Sequence, residues 1–197
     1  MLANLKNTYF VLRHGGSKAN VAEIILSHLE NGVKEEFTLT KKGEEQVRDS
    51  AQKAKLEGLI DDSVLIYSSP FSRCKRTAEV AREVLGVKDQ IHFDDRLRER
   101  NFGDFEKTHS SNYQKVWDAD SKDTGHKNNN VESAQEVQNR VLSLIDDLEK
   151  EYSGQKILLV SHGDALQILQ TAFANTSPKE HRQMEHLHTA EIRKLNN

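Results

Sequence analysis

The sequence predicts an α/β protein: a three-layer α/β/α sandwich around a mostly parallel sheet with an antiparallel strand at one edge. Short apolar runs rich in β-branched and aromatic residues alternate with longer stretches of helical periodicity. Several of those runs stop abruptly at polar turns, as buried strands do. Strands that alternate with helices favour parallel pairing beneath helical layers, and a loosely alternating last segment reads as an edge strand.

Taken in order, residues 8–12 (Thr-Tyr-Phe-Val-Leu) form the first strand and end at Arg13-His14-Gly15-Gly16. Residues 40–56 form a helix with Thr40 as its N-cap. A second strand at 64–67 closes on Ser68-Ser69-Pro70, and the helix at 71–85 ends at Gly86, a C-cap position. Residues 91–93 form a short strand, and 118–130 read as one clear loop, a lid or insertion. Val137, Val141, Leu144, Ile145 and Leu148 mark a helix over 131–152. A strand at 157–160 then runs into Ser161-His162-Gly163, a helix at 164–173 follows, and 187–195 hold the edge strand. No internal repeat is present, so the expectation is one domain over 1–197 with a cap inserted at about 104–130.

A hydrophobic fraction of 36% with 30% charged residues suits a globular enzyme with solvated helices, because apolar runs recur along the whole length. The net charge of −3 is the wrong sign for a nucleic-acid-binding surface, so any anionic ligand must be held by a local cluster of arginines. The single cysteine, Cys74, permits no internal disulfide and points to a reducing compartment, with the cytoplasm as the expected location. Its neighbours in Arg73-Cys74-Lys75-Arg76 can lower a thiol pKa, but a small residue on a helix is the simpler account. No apolar run reaches membrane-spanning length, and residues 1–6 lack the apolar centre of a leader.

Three strands end in residue types suited to phosphate. In a parallel sheet the loops at the carboxyl ends of the strands line the ligand crevice, which brings Arg13-His14, Arg73 and His162 toward one place. Arg13 and Arg73 can grip phosphoryl oxygens with paired N–H donors. Gly163 opens a helix whose first amides add positive potential, and Asn20 supplies a neutral donor. His14, with glycines leaving in-line access, suits a nucleophile; His162, made cationic by a bound phosphate, suits stabilisation of the transferring group. Glu99 can protonate the leaving oxygen. Each has a plainer account: His14 as a structural histidine, Arg73 as a solvated helix-start cation, Glu99 as a surface partner of Arg96, Arg98 and Arg100. His181, His186 and His188 lack companion ligands at metal spacing and read as surface histidines.

Leu12-Arg13-His14-Gly15, followed by Ser17 and Asn20, resembles the signature of the histidine phosphatase superfamily, the phosphoglycerate-mutase-like proteins. The resemblance runs from Tyr9 to about Ile192. Leu39-Thr40-Lys41-Lys42-Gly43-Glu44-Glu45-Gln46 looks like the family's helix start, and Ser68-Ser69-Pro70-Phe71-Ser72-Arg73 with Thr77-Ala78 like its second arginine motif. Leu97-Arg98-Glu99-Arg100-Asn101-Phe102-Gly103 resembles its acid loop, and Val160-Ser161-His162-Gly163 its second histidine motif. The resemblance implies a phosphohistidine at His14, Glu99 as proton donor and then base, and a phosphate pocket of Arg13, Arg73 and His162. Ser17, Asn20 and Gly163 would bind substrate, and neither metal nor organic cofactor is required. Gly16 stands where members carry an acidic or amide residue, which implies a looser loop; His188-Thr189 departs from the family's late Asn-Thr/Ser. The region after Gly103 lacks the length and basic residues of the mutase branch. The expected function is therefore a phosphomonoesterase acting on a small phosphorylated metabolite, with a phosphoglycerate-type mutase or a low-activity phosphate-binding regulatory module as alternatives. Homo-oligomerisation is compatible with the sequence.

Overall fold

The computed structural model describes residues 4–196, so the leader reading at residues 1–6 falls partly outside it. Five strands, β1 (Thr8–Arg13), β2 (Leu65–Ser68), β3 (His92–Phe93), β4 (Lys156–Ser161) and β5 (Ile192–Lys194), form one sheet in the order β3-β2-β4-β1-β5. β1, β2, β3 and β4 run parallel, and β5 pairs antiparallel with β1.

The side-chain alternation of β1 separates two cores. Phe10 and Leu12 join Ile66, Leu158 and Val160 on one face, under α3 (Lys41–Leu56) and α4 (Ser72–Leu85). Tyr9 and Val11 join Ile157 and Leu159 on the other, under α6 (Ala134–Glu151) and α7 (Gly163–Phe173). Both faces are covered by apolar helix stripes, so β1 and β4 are apolar on both sides and read as continuous runs. This is the three-layer arrangement. Among the described residues no helix is long and apolar enough to cross a membrane.

Several boundaries differ from expectation. The helix expected at 131 begins at Ala134, because Ser133 and Glu136 form a reciprocal capping box there and Val131 is spent in a small separate core with Ile25, Phe102 and Val116. The edge strand keeps only Ile192–Lys194 of 187–195; Leu187 is buried beside Gln167. The segment 118–130 is not a simple loop. Its first residues finish α5 (Tyr113–Asp120), and Asn128–Asn130 form a 3-10 turn. Two four-residue helices, α1 (Lys18–Val21) and α2 (Leu29–Gly32), have too few residues for a readable period.

The segment after Gly103 is tied to the chain that follows α1. Ile25 N donates to Thr108 O (2.9 Å) and Lys107 N to Ile25 O (2.8 Å), while Glu106 accepts from Ser27, His28 and Asn31. The turn after β1 is seated on α3. Gly16 N donates to Gln46 Oε1 (3.0 Å), and Gly16 O accepts from Thr40 N (2.9 Å) and Thr40 Oγ1 (3.0 Å). The looser loop expected from Gly16 is not found: three hydrogen bonds fix it. The close approach depends on Gly43, where a Cβ would strike the Gly16 carbonyl. Gly43→Ala is expected to destabilise by about 1–3 kcal/mol through overpacking against that backbone, read as a fall in thermal midpoint.

Candidate functional site

The parallel register of β1 and β4 pairs Arg13 with Ser161, so the residues that follow, His14 and His162, leave the sheet side by side. His14 N is anchored on Ser161 O (3.0 Å), and the two imidazoles sit edge to face with centroids 5.3 Å apart. Arg73 reaches them from the first turn of α4. Its Nε donates to His14 Nε2 and to His162 Nδ1, both at 3.2 Å, and its Nη2 to Leu26 O (3.0 Å). Arg73 Nη1 is buried with no protein partner, as is Arg13 Nε. Two buried guanidiniums with donors to spare, in a cleft that also holds two histidines, are the makings of an oxyanion grip.

The hydrogen bonds assign the tautomers. His14 Nε2 accepts from Arg73, so Nδ1 carries the proton and donates it to Gly15 O (2.8 Å). The lone pair is therefore on Nε2, inside the cleft. Burial, and after it the Arg73 and Arg13 charges, hold the His14 pKa well below its ordinary value. His162 Nδ1 likewise accepts, leaving Nε2–H for Ser69 Oγ (2.8 Å). Burial and then Arg73 depress its pKa as well. His162 is thus neutral in the free protein, and its imidazolium form requires a bound anion.

Glu99 is 6% exposed, which sets aside the surface ion pair. The flanking arginines look elsewhere: Arg96 to Asp94 and Asp147, Arg98 to Glu132, Arg100 to Asp120 and Asp164. Glu99 Oε1 accepts from Arg100 N (2.9 Å) and Ala165 N (3.3 Å). Burial, then the nearby Asp164 carboxylate, raise the Glu99 pKa, which favours the protonated acid. Gly163 begins α7 against the Arg13 guanidinium, 3.2–3.3 Å from where a Cβ would sit, so glycine admits the arginine. Ser17 is buried at the N-cap of α1; its hydroxyl donates to Asn20 Oδ1 (2.9 Å) and accepts from Asn20 N (3.2 Å). The Asn20 Oδ1 is committed to this cap, which leaves its Nδ2 as the donor available to a ligand.

All eight sequence-predicted site residues line or adjoin one cavity of about 670 Å³, counted to its open mouth; His162 lies just beneath it, behind Arg73. Its outer walls were not expected. Tyr113 and Trp117 on α5 stack in parallel (5.5 Å, 7°), Arg182 lies over the Trp117 ring, and His186 closes the far side. The spacing of Tyr113 and Trp117, four residues apart on one helix face, was the available signal.

Behind the cavity lies a buried charge cluster. Arg100 donates to Asp120 at 2.6 and 2.8 Å, to Asp164 at 3.2 Å and to Glu132 O at 2.7 Å. His126 Nε2 (2.8 Å) and His181 Nε2 (3.1 Å) meet the two Asp120 oxygens, and Trp117 Nε1 donates to Asp164 (2.9 Å). His181 is therefore no surface histidine, whereas His186 and His188 are exposed. Cys74 is fully buried beside His162, and burial pushes its thiol pKa up, so the helix-packing account stands.

Residues 9–196 match the sequence family described as "Histidine phosphatase superfamily (branch 1)". The chain is 32% identical over 163 residues to "Probable phosphoglycerate mutase GpmB" of Escherichia coli, spanning 80% of this chain and 70% of that protein. Among solved structures, mycobacterial glucosyl-3-phosphoglycerate phosphatase superimposes with a TM-score of 0.75 at 23% identity, covering 95% of this chain and 88% of the other. Phosphoserine phosphatase from Entamoeba histolytica, solved with phosphoserine, gives a TM-score of 0.75 at 22% identity over 95% and 89% of the two chains. The two superpositions show a common fold, and the family match spans almost the whole sequence. The chain belongs to branch 1 of the histidine phosphatase superfamily.

Proposed function

We propose that this protein is a metal-independent phosphomonoesterase that hydrolyses a small phosphorylated metabolite through a phosphohistidine on His14, within the cytoplasm. The observation that carries this reading is the His14 tautomer: Nδ1–H is held by Gly15 O, and the Nε2 lone pair faces Arg73 in a cleft shared with a protonated Glu99. In the first step Nε2 attacks phosphorus, the P–N bond forms, and the ester P–O bond breaks as Glu99 protonates the departing oxygen. Arg13, Arg73 and His162 meet the charge on the equatorial oxygens, with the Gly163 amide and Asn20 Nδ2 beside them and Ser17 holding Asn20 in place. In the second step water attacks the phosphohistidine, Glu99 takes its proton, and phosphate leaves with His14 neutral again. Residues 104–130 act as the cap, contributing Tyr113 and Trp117 to the cavity wall.

The test is a panel of phosphate esters, scored for phosphate release with and without chelator and for phosphate on His14 by mass spectrometry. Chelator-sensitive turnover, or a phosphoryl group trapped on another residue, sinks the proposal. The Escherichia coli relative's name favours a second reading, a mutase. That reading requires a bisphosphorylated primer and phosphate moved within the substrate. Against it, the cap side of the cavity is walled by Tyr113 and Trp117 and by none of the cap's lysines. The regulatory-module reading loses its motive, since Gly16 is firmly held.

The pH profile follows from the shifts. The free enzyme is active with His14 neutral and Glu99 protonated. His14, lowered well below 6.5, stays neutral far into the acid range, and Glu99, raised above 4.5, stays protonated beyond an ordinary carboxyl. The profile of kcat/KM is therefore expected to fall as pH rises through the Glu99 value. Glu99→Gln should erase that alkaline limb and slow hydrolysis of alkyl phosphates by about 10²–10⁴-fold. p-Nitrophenyl phosphate, whose leaving group needs no proton, should suffer far less. An alkaline limb that survives in the variant assigns the acid elsewhere.

A further inference from the structure

The cavity holds one more fixed cation than a single phosphoryl group uses. Arg13 and Arg73 point free, buried donors into its inner end. Arg182 stands at its outer end, with its guanidinium carbon 3.8 Å from the Trp117 ring centroid. Trp117 is itself immobilised: its other face stacks on Tyr113, and its Nε1 donates to Asp164 Oδ1 (2.9 Å). A guanidinium laid flat on a fixed indole keeps its N–H edge exposed and loses most of its freedom before any ligand arrives. Among the described residues, no carboxylate forms an ion pair with Arg182. The neighbouring charges are instead alike. His186, also in the wall, has its pKa lowered by burial, then by Arg13, then by Arg182. Nearby acids are already engaged, Asp164 with Arg100 and Trp117, and Glu185 with Arg193.

A row of like charges without counter-ions is unfavourable unless a ligand completes it, and a dianionic phosphoryl group balances Arg13 and Arg73 only. Resting on the phosphomonoesterase reading, we propose that Arg182 is a specificity-determining residue that binds a second anionic group on the substrate, a carboxylate or second phosphate a few bonds from the scissile ester. The substrate class is then a short phosphomonoester carrying two anionic ends, and neutral sugars or alcohols bearing one phosphate are poorer substrates. The stacked geometry favours arginine over lysine, because only a planar guanidinium rests on the ring and presents two parallel donors to a carboxylate or phosphate.

The test compares three two-carbon ligands that share a leaving oxygen: ethyl phosphate, phosphoglycolate and ethane-1,2-diol bisphosphate. For the wild type, kcat/KM is expected to favour the better of the two dianionic-ended esters over ethyl phosphate by roughly 10–100-fold, the span of one charge-assisted contact. Arg182→Gln should collapse that ratio toward one, mostly through KM, and Arg182→Lys should restore part of it. The preferred ester identifies the second anion as carboxylate or phosphate. Calorimetric binding of the same ligands to His14→Ala and to His14→Ala/Arg182→Gln gives the same comparison without turnover, so it holds even if hydrolysis fails. A wild-type ratio near one, or a ratio unchanged in Arg182→Gln, overturns the assignment. An equal loss for all three ligands also overturns it, because that marks a structural role.

Discussion

His14→Ala lowers kcat/KM for phosphomonoester hydrolysis by about 10⁴-fold or more, and no phosphoryl group is recovered on the variant after quench. The size follows from the kind of role rather than from the number of contacts. A nucleophile removed from a covalent route takes the whole route with it, and the groups that remain can only bind and polarise the ester. Arg13, Arg73, His162 and Glu99 keep their own anchors in the variant. Arg13 retains Leu187 O, Arg73 retains Leu26 O and His162 Nδ1, and Glu99 retains two backbone amides. Phosphate affinity should therefore survive within about tenfold while turnover disappears. That split between binding and chemistry is the readout. Substantial turnover in a correctly folded variant transfers the nucleophile's part to another group or to water, and the phosphohistidine route falls.

The largest expected loss of stability lies behind the site. Arg100→Met should destabilise the protein by about 3–5 kcal/mol, because it strips the cation from two buried carboxylates. For a chain of this size that corresponds to a fall in thermal midpoint on the order of 10 °C. Arg100, Asp120 and His181 are all fully buried, so water cannot take over the lost contacts. Burial pushes the Asp120 carboxyl up, but its hydrogen bonds to Arg100 and His181 overcome this and hold it well below the usual carboxylate range. A carboxyl depressed by folding contributes stability that is present above its unfolded value, near 4, and is lost as pH falls through its folded value. Acid unfolding of the wild type should therefore set in late with respect to this pair, and Arg100→Met should move it to higher pH. The double variant Arg100→Met/Asp120→Leu should recover part of the loss, since replacing both partners removes the stranded charge. An unshifted acid limb in Arg100→Met, or strictly additive losses in the double variant, refutes this account of the cluster.

The layered fold and the inner end of the site were legible because both rest on local patterns. Residues 8–12 and 157–160 are apolar without interruption, as strands buried on two faces must be, and each stops at an Arg-His or Ser-His turn. The rule that ligands gather at the carboxyl ends of parallel strands then placed His14, Arg73 and His162 together. Glu99 was found from the resemblance, and its burial was not visible in a segment with arginines on both sides. What escaped is long-range. His181 is buried by a carboxylate 61 residues away, and Arg100 by one 64 residues away; neither has any periodic trace. The helix start at Ala134 was misjudged because Val131 looks apolar enough to extend the helix, while it packs instead with Ile25 and Phe102. α5 was missed because two of its eight residues are buried, too few for a helical stripe to stand out in a polar stretch.

Asp164 has one further consequence, for descent with modification. Its Oδ2 serves Arg100 and its Oδ1 serves Trp117, while the amide of its neighbour Ala165 holds Glu99. The reacting end of the cavity is encoded in strand-end motifs, and the outer wall in residues 113–117 and 182–186, which lie outside those motifs. Two such stretches can accumulate changes at different rates, and a lineage can trade its substrate while keeping its reaction. Asp164 joins them. Substitutions at position 117 are felt at the acid through a single carboxylate, so the history of this pair should show compensating changes at 164 whenever the indole is lost.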